Sequence, residues 1–153
     1  MRVRFFVAGR PRPGGSKRGI PIYRGKDGAK QFTGHVAMMD ASGEKGKTWR
    51  SDVKDAARKV YCGLPTTSPV IISMEFVMER PKCHFGSGKN SSVLKSSSPT
   101  CHIYKPDVLK LSRAVEDALT GIIWKDDSQI WSETLVKRYG PCAGVEVLID
   151  IED

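Results

Sequence analysis

The chain has 153 residues, enough to bury one core but too few for two ordinary domains. An apolar share of 39% with 27% charged residues excludes a disordered chain, and no apolar run nears the roughly 20 residues needed to span a membrane. The formal charge of +8 points to a polyanionic partner.

The elements follow in chain order. Val3, Phe5 and Val7 alternate with arginines, which predicts a half-buried first strand; its apolar stretch VRFFVAG is too short and interrupted for a signal peptide, so a cytoplasmic protein is the default expectation. GRPRPGGSKRG follows, and its Pro and Gly residues predict a loop carrying Arg10, Arg12, Lys17 and Arg18. Asp27-Gly28 marks a candidate hairpin turn in an otherwise poorly patterned stretch. Trp49, Val53, Ala56 and Val60 recur at helical spacing and predict a helix over 48–60, with Arg50, Lys54, Arg58 and Lys59 on its outer face. PVIISMEFVME alternates clearly and predicts a strand over 70–79. Val70, Ile72, Met74, Phe76 and Met78 share one face, with Ser73, Glu75 and Glu79 on the other.

Residues 86–100 are rich in Ser and Gly and are expected to form a mobile loop. A second helix is predicted from Asp107 to Leu119, stopped by Gly121, and two strands close the chain over 130–139 and 145–151. This order defines a single α/β (α+β) domain over 1–153: a mixed sheet with two main helices on one face and a basic arm over 8–30. The cysteines Cys62, Cys83, Cys101 and Cys142 are scattered and read as reduced thiols. Cys83-His84 and Cys101-His102 repeat a pair that can hold zinc, although sequence neighbours suit one tetrahedral site poorly.

Charge is polarised along the chain. Residues 1–30 carry nine Lys/Arg against the single Asp27, whereas from Asp107 onward ten acids face five bases. Taken singly, the acids have plain structural readings. Asp107 stands where a helix begins, Asp117 lies four residues after Arg113, and Asp126-Asp127 suits a turn. Taken together, they suggest carboxylates that bind divalent cations, which would turn an acidic cluster into a site for phosphodiesters while the basic arm grips nucleic acid.

The stretch 105-KPDVLKLSRAVEDALTGIIWKDDSQI-130 resembles the signature of the RusA family of Holliday junction resolvases, P-D-x-D-N-L-x-K-x-x-x-D-A-L followed after a spacer by D-D-x-Q-[IV]. The matches are Pro106, Asp107, Leu111, Asp117-Ala118-Leu119, Asp126-Asp127, Gln129 and Ile130, with Trp124 ahead of the Asp pair. The resemblance implies a small homodimer of mixed α/β fold, encoded by a phage or prophage. It implies paired cuts in four-way DNA that depend on Mg²⁺, with Mn²⁺ as the alternative. By the same resemblance Asp107 and Asp127 are metal ligands with Asp126 beside them, and Asp117 is a further acidic member. Arg113 stands at the catalytic lysine, and Arg10, Arg12, Lys17, Arg18 and Lys110 contact DNA.

Two departures stand out. Leu109 replaces the second Asp of the D-x-D, and Arg113 keeps the charge of the lysine without its capacity for proton transfer. Three readings follow. Another acid (Asp117, Asp126, Glu75 or Glu79) completes the site, the enzyme is slow, or the protein binds junctions without cutting them. Leu109 is expected to face the acidic cluster or pack against Trp124. A basic RNA-binding domain is the remaining class, but the chain shows no RNP-like aromatic motif and no KH-type GxxG context.

Overall fold

Val3, Phe5 and Val7 are buried on one side of the first strand while the residues between them are exposed, the alternation their pattern demands. The computed structural model describes residues 1–14, 17–25, 30–40 and 43–152. The elements are β1 (Arg2–Ala8), β2 (Lys17–Arg24), β3 (Gln31–Asp40), α1 (Gly43–Val60), β4 (Val70–Glu79), α2 (Val108–Leu119), β5 (Ile130–Gly140) and β6 (Gly144–Ile151). Single 3-10 turns lie at Lys82–His84, Gly88–Asn90 and Asp127–Gln129.

Four strands form a mixed sheet in the order β1-β6-β4-β5, in which β4 and β5 run parallel and the other pairs are antiparallel. A parallel pair cannot be joined by a tight turn, and α2 lies within the long connection. Both helices pack on one face. Trp49, Val53 and Ala57 of α1 pack over β1 and against α2, while Leu111, Ala114, Val115, Ala118 and Leu119 of α2 pack over β4 and β5. All join the buried row Val70, Ile72, Met74, Phe76 and Met78 of β4 in one core. The opposite face carries ion pairs instead: Arg2 with Asp150 at 2.7 Å, Arg4 with Glu146, and Arg138 with Glu75. The expected mixed sheet with two helices on one face is therefore present.

Details differ from the sequence reading for identifiable reasons. Helix α1 begins at Gly43 rather than Thr48, because 43–47 is polar and supplies no apolar stripe. Its buried row is Gly46, Trp49, Val53 and Ala57, with Ala56 only partly buried and Val60, the last residue of the helix, exposed. Lys17 and Arg18 open strand β2 and do not belong to the loop, and β2 pairs with β3 as a separate two-stranded ribbon. The Asp27-Gly28 turn lies outside the described residues. Residues 86–100 are organised by turns, with Gly86 N–H donating to Val93 O at 2.9 Å and Lys95 N–H to His84 O at 3.0 Å.

The two sheet faces make a direct contrast. Phe76→Ala, on the helix face, is expected to cost about 3–5 kcal/mol of unfolding free energy. Val136→Ala, on the open face, should stay within about 0.5 kcal/mol. Denaturant midpoints at constant slope measure both.

Candidate active site

The start of α2 is fixed by its surroundings and not by a side-chain cap. Asp107 occupies the N-cap position with extended backbone (φ −67°, ψ 140°), yet its carboxylate accepts no capping hydrogen bond and is exposed 3.6 Å from the Lys110 ammonium. Lys137 on β5 instead donates from Nζ to the carbonyls of Tyr104 and Pro106, both at 2.7 Å, and pins the chain entering the helix. The basic arm crosses α2 just beyond. Gly14 N–H donates to Lys110 O at 2.7 Å, and a Cβ on Gly14 would sit 3.0 Å from Ala114 Cα, so any larger residue would push the arm and helix apart by a few tenths of an ångström. With Pro11 and Gly14 buried, this part of the arm is docked.

Docking the arm places its cations beside Asp107. Arg10, Arg12, Lys105 and Lys110 border a surface depression of about 370 Å³ that includes Asp107 and no second acid. Arg10 also borders the next depression, of about 320 Å³, with Glu79, Arg80, Lys82 and His102. Together they form a mainly cationic strip that also carries Asp107 and Glu79. Burial, with the nearby charges of Lys137 and Arg10, lowers the His102 pKa and favours its neutral form. His84 and His102 converge on the ring of Tyr139, with centroids 4.8 and 4.7 Å away. The four cysteines are free and exposed, and among the described residues no three of Asp, Glu, His and Cys stand together as a preformed metal cage.

The other end of α2 faces the Asp-Asp segment, and Gln129 holds that segment in place. Its Oε1 accepts from Lys125 N–H and Asp126 N–H, both at 3.0 Å, while Nε2 donates to Thr66 O at 2.9 Å and Ser68 O at 3.0 Å. One amide thus ties the Asp pair to the segment entering β4. The Asp126 carboxylate is engaged as the cap of the 3-10 turn, accepting from Ser128 N–H at 3.0 Å, and hydrogen bonding from the Ser128 hydroxyl first and from this N–H second lowers its pKa. Asp127 starts the turn with its side chain exposed.

Asp127 has acidic neighbours that the sequence reading did not single out. Glu116 on α2 is half-buried, hydrogen-bonded to Glu133 on β5, and within reach of the Asp127 charge. Burial first, then the shared proton and charge of Glu133, raise the Glu116 pKa to about 7; a hydrogen bond from Ser112 opposes the rise, and Asp127 adds to it. Two signals in the sequence marked this pair. Glu133 alternates with Leu135, Lys137 and Tyr139, so it lies on the helix side of β5, and Glu116 follows Ser112 by one helical turn. Asp107 lies nine residues before Glu116, about 13 Å along the helix axis.

The remaining expected residues fall as follows. Leu109 is 68% exposed while Trp124 is fully buried with its indole N–H donating to Thr120 Oγ1, so Leu109 does not pack against Trp124. The helix is already regular at Val108, which turns position 109 to solvent. Arg113 and Asp117 are exposed and do not form the ion pair their spacing permits. Glu75 pairs with Arg138 on the open sheet face, the side away from α2, and so cannot join Asp127. Glu79 stands at the end of β4 opposite Gly140, whereas Asp127 adjoins the end where Val70 meets Ile130. Among the described residues no helix is long and apolar enough to cross a membrane.

A protein that aligns a cationic strip and a crowded set of carboxylates along one helix has the equipment of a phosphodiester-cleaving enzyme acting on nucleic acid. Comparison with known proteins agrees. Residues 21–150 match the family model described as "Endodeoxyribonuclease RusA", and the chain belongs to the RusA family, whose endonucleases act on branched DNA. It is also 30% identical over 133 residues to the "Uncharacterized protein YqaN" of Bacillus subtilis (strain 168), covering 86% of this chain and 90% of that one.

Two measurements probe the acidic end of α2. Glu116 has a folded-state pKa of about 7 against an ordinary value of 4.5, so the native state holds a proton the unfolded chain releases, and stability falls as pH rises through that window. Thermal melts in chelator should show the midpoint dropping between pH 5 and pH 7.5 (about the window those values define), and Glu116→Gln should flatten the slope. Gln129→Ala removes four hydrogen bonds. It should cost about 1–3 kcal/mol and lower DNA cleavage more than DNA binding, measured by denaturation and by single-turnover assay.

Proposed function

We propose that this protein is a Mg²⁺-dependent, structure-specific DNA endonuclease that resolves Holliday junctions by paired phosphodiester cuts during recombination and repair. Family membership supports the reaction class. The observation that carries the reading is the placement of Glu116 of α2 near Glu133 of β5 and Asp127 of the turn between them, with the mainly cationic depressions through Arg10 at the other end of the helix.

The donor set suits the metal. Mg²⁺ takes hard oxygen ligands, commonly from one or two carboxylates with waters and substrate phosphates completing the shell, and so needs no full protein cage. Carboxyls crowded enough to raise a proton affinity are relieved by a cation in the same way as by a proton. By the family resemblance Asp107 and Asp127 are the assigned ligands, with Asp126 and Asp117 as outer members. Asp107 lies about 13 Å along the helix from Glu116, so an ion held by Asp127 and Glu116 is at a separate position from one held by Asp107. Glu116 supplies, next to Asp127, an oxygen that Leu109 cannot. When bound, the metal neutralises charge on the attacking and leaving oxygens. Arg113 holds a phosphate as a fixed cation, since guanidinium does not give up its proton. Arg10, Arg12 and Lys110 grip the backbone from the docked arm, and Lys17 and Arg18 do so from the start of β2.

The second reading is a junction-binding protein without cleavage, and the exposed Leu109 with the absence of a three-acid cage among the described residues favours it. Incubation of a synthetic four-way junction with and without Mg²⁺ decides between them: paired nicks only with metal support the enzyme, and binding without nicks supports the alternative. Asp107→Asn and Asp127→Asn should each abolish cleavage and leave binding intact. Leu109→Asp should change the rate by less than tenfold (about 1.4 kcal/mol of barrier) if Glu116 already fills the role.

Paired cuts in a two-fold junction call for two sites related by the same symmetry, so a homodimer is part of the proposal. The exposed aliphatic stem of the β2–β3 ribbon, with Ile20, Val36, Met38 and Met39, is a surface a second copy can cover. Light scattering should give twice 16.9 kDa; a monomer both free and on junction DNA would rule out paired incision by this chain alone.

A further inference from the structure

An isolated two-stranded hairpin is marginally stable at best in water, yet among the described residues β2 and β3 pair only with each other. Large apolar side chains stand exposed on both ribbon faces: Val36 and Met38 on one, Ile20 and Met39 on the other. The two ends of the ribbon differ in chemistry. The stem is aliphatic, whereas the distal end is aromatic and polar. There Tyr23 and Phe32 are cross-strand partners, 55% and 50% exposed, with ring centroids 5.9 Å apart and planes tilted by 57°.

Phe32 also walls an open depression of about 330 Å³ with Arg24, Gln31, Thr33 and His35. The Thr33 hydroxyl is engaged, donating to Ile22 O at 2.8 Å, which leaves a guanidinium, a carboxamide and an imidazole around an open aromatic face. The ribbon's charge selects the occupant. Lys17, Arg18, Arg24 and Lys30 are cationic, and among the described residues none of them forms an ion pair. An exposed ring ringed by a guanidinium and an amide, on a cationic support, is how proteins hold a nucleobase by stacking while a phosphate is gripped alongside.

We propose that the distal end of the β2–β3 ribbon is a nucleobase subsite. Phe32, flanked by Tyr23, stacks on a base left unstacked at a DNA branch point, and Arg24 contacts that nucleotide's phosphate. This rests on the branched-DNA reading above and extends it. Bases inside a continuous duplex offer no free face, whereas a discontinuity does, so the subsite contributes preference for branched over linear DNA. The carboxamide of Gln31 and the imidazole of His35 are placed to meet the base edge, which would make the choice of base at the crossover sensitive to both.

The test uses the full chain in chelator, with four-way junctions carrying 2-aminopurine either at the crossover or inside one arm. Wild type should brighten the crossover label alone, reporting an unstacked base, and should bind the junction more tightly than linear duplex. Phe32→Ala should abolish the brightening and weaken junction binding about tenfold, the order expected for one lost base–aromatic stack, with duplex affinity and light-scattering mass unchanged. Phe32→Trp should restore both signals. Two results would overturn the subsite: Phe32→Ala binding the junction as tightly as wild type, or Phe32→Ala dissociating to half the wild-type mass, which would assign the tip to a contact between two copies. Failure of the branched-DNA reading itself would appear earlier, as wild type with no preference for the junction.

Discussion

The buried face of α2 is the constraint on which the rest of the protein depends. Leu111, Ala114, Val115, Ala118 and Leu119 press it into the core, and the helix is the crossover that lets β4 and β5 run parallel. Because that face is locked, the direction of every other side chain on the helix is set. Ser112 and Glu116 turn toward β5, while Lys110 and Ala114 present the surface on which the arm docks. The connections at both ends are held by polar groups from elsewhere, Lys137 before the helix and Gln129 after it. Packing therefore supplies precision to groups that are themselves exposed.

Electrostatically, the molecule separates attraction from chemistry. The cationic strip through Arg12, Arg10 and Arg80 lies around the entry to α2, and the crowded acids lie two to three turns further on. The raised proton affinity of Glu116 comes first from burial, then from its hydrogen bond with and the charge of Glu133, with Asp127 adding least.

Much of this was legible in the residues. The period-two alternation of β1 and β4 and the helical spacing in α2 gave correct elements, because burial on one face leaves a periodic trace. The motif residues Asp107, Asp127 and Gln129 could be picked out, and a turn at Asp126-Asp127 was readable because its cap partner Ser128 is local. That Gln129 clamps the turn to Thr66 and Ser68, some sixty residues away, could not be seen. Glu116 and Glu133 escaped notice because each belongs to a different element, and only the α2–β5 packing joins them. Glu75, one of the four acids offered as the missing ligand, stands on the sheet face away from the helices, where the alternation of its strand already put it. The ribbon's second strand was hidden because no core lies under it to impose a pattern.

The strand order carries a further consequence for how such a nuclease is made. Strand β6, last of the elements, lies between β1 and β4 and is bonded to both, so the sheet has no centre until residues 144–151 have been synthesised. On the ribosome β1 must wait for almost the whole chain, its apolar row unprotected, before its partner emerges. Incomplete chains thus lack the platform that orients α2. The platform beneath the helix is completed only when the last of the described strands is in place.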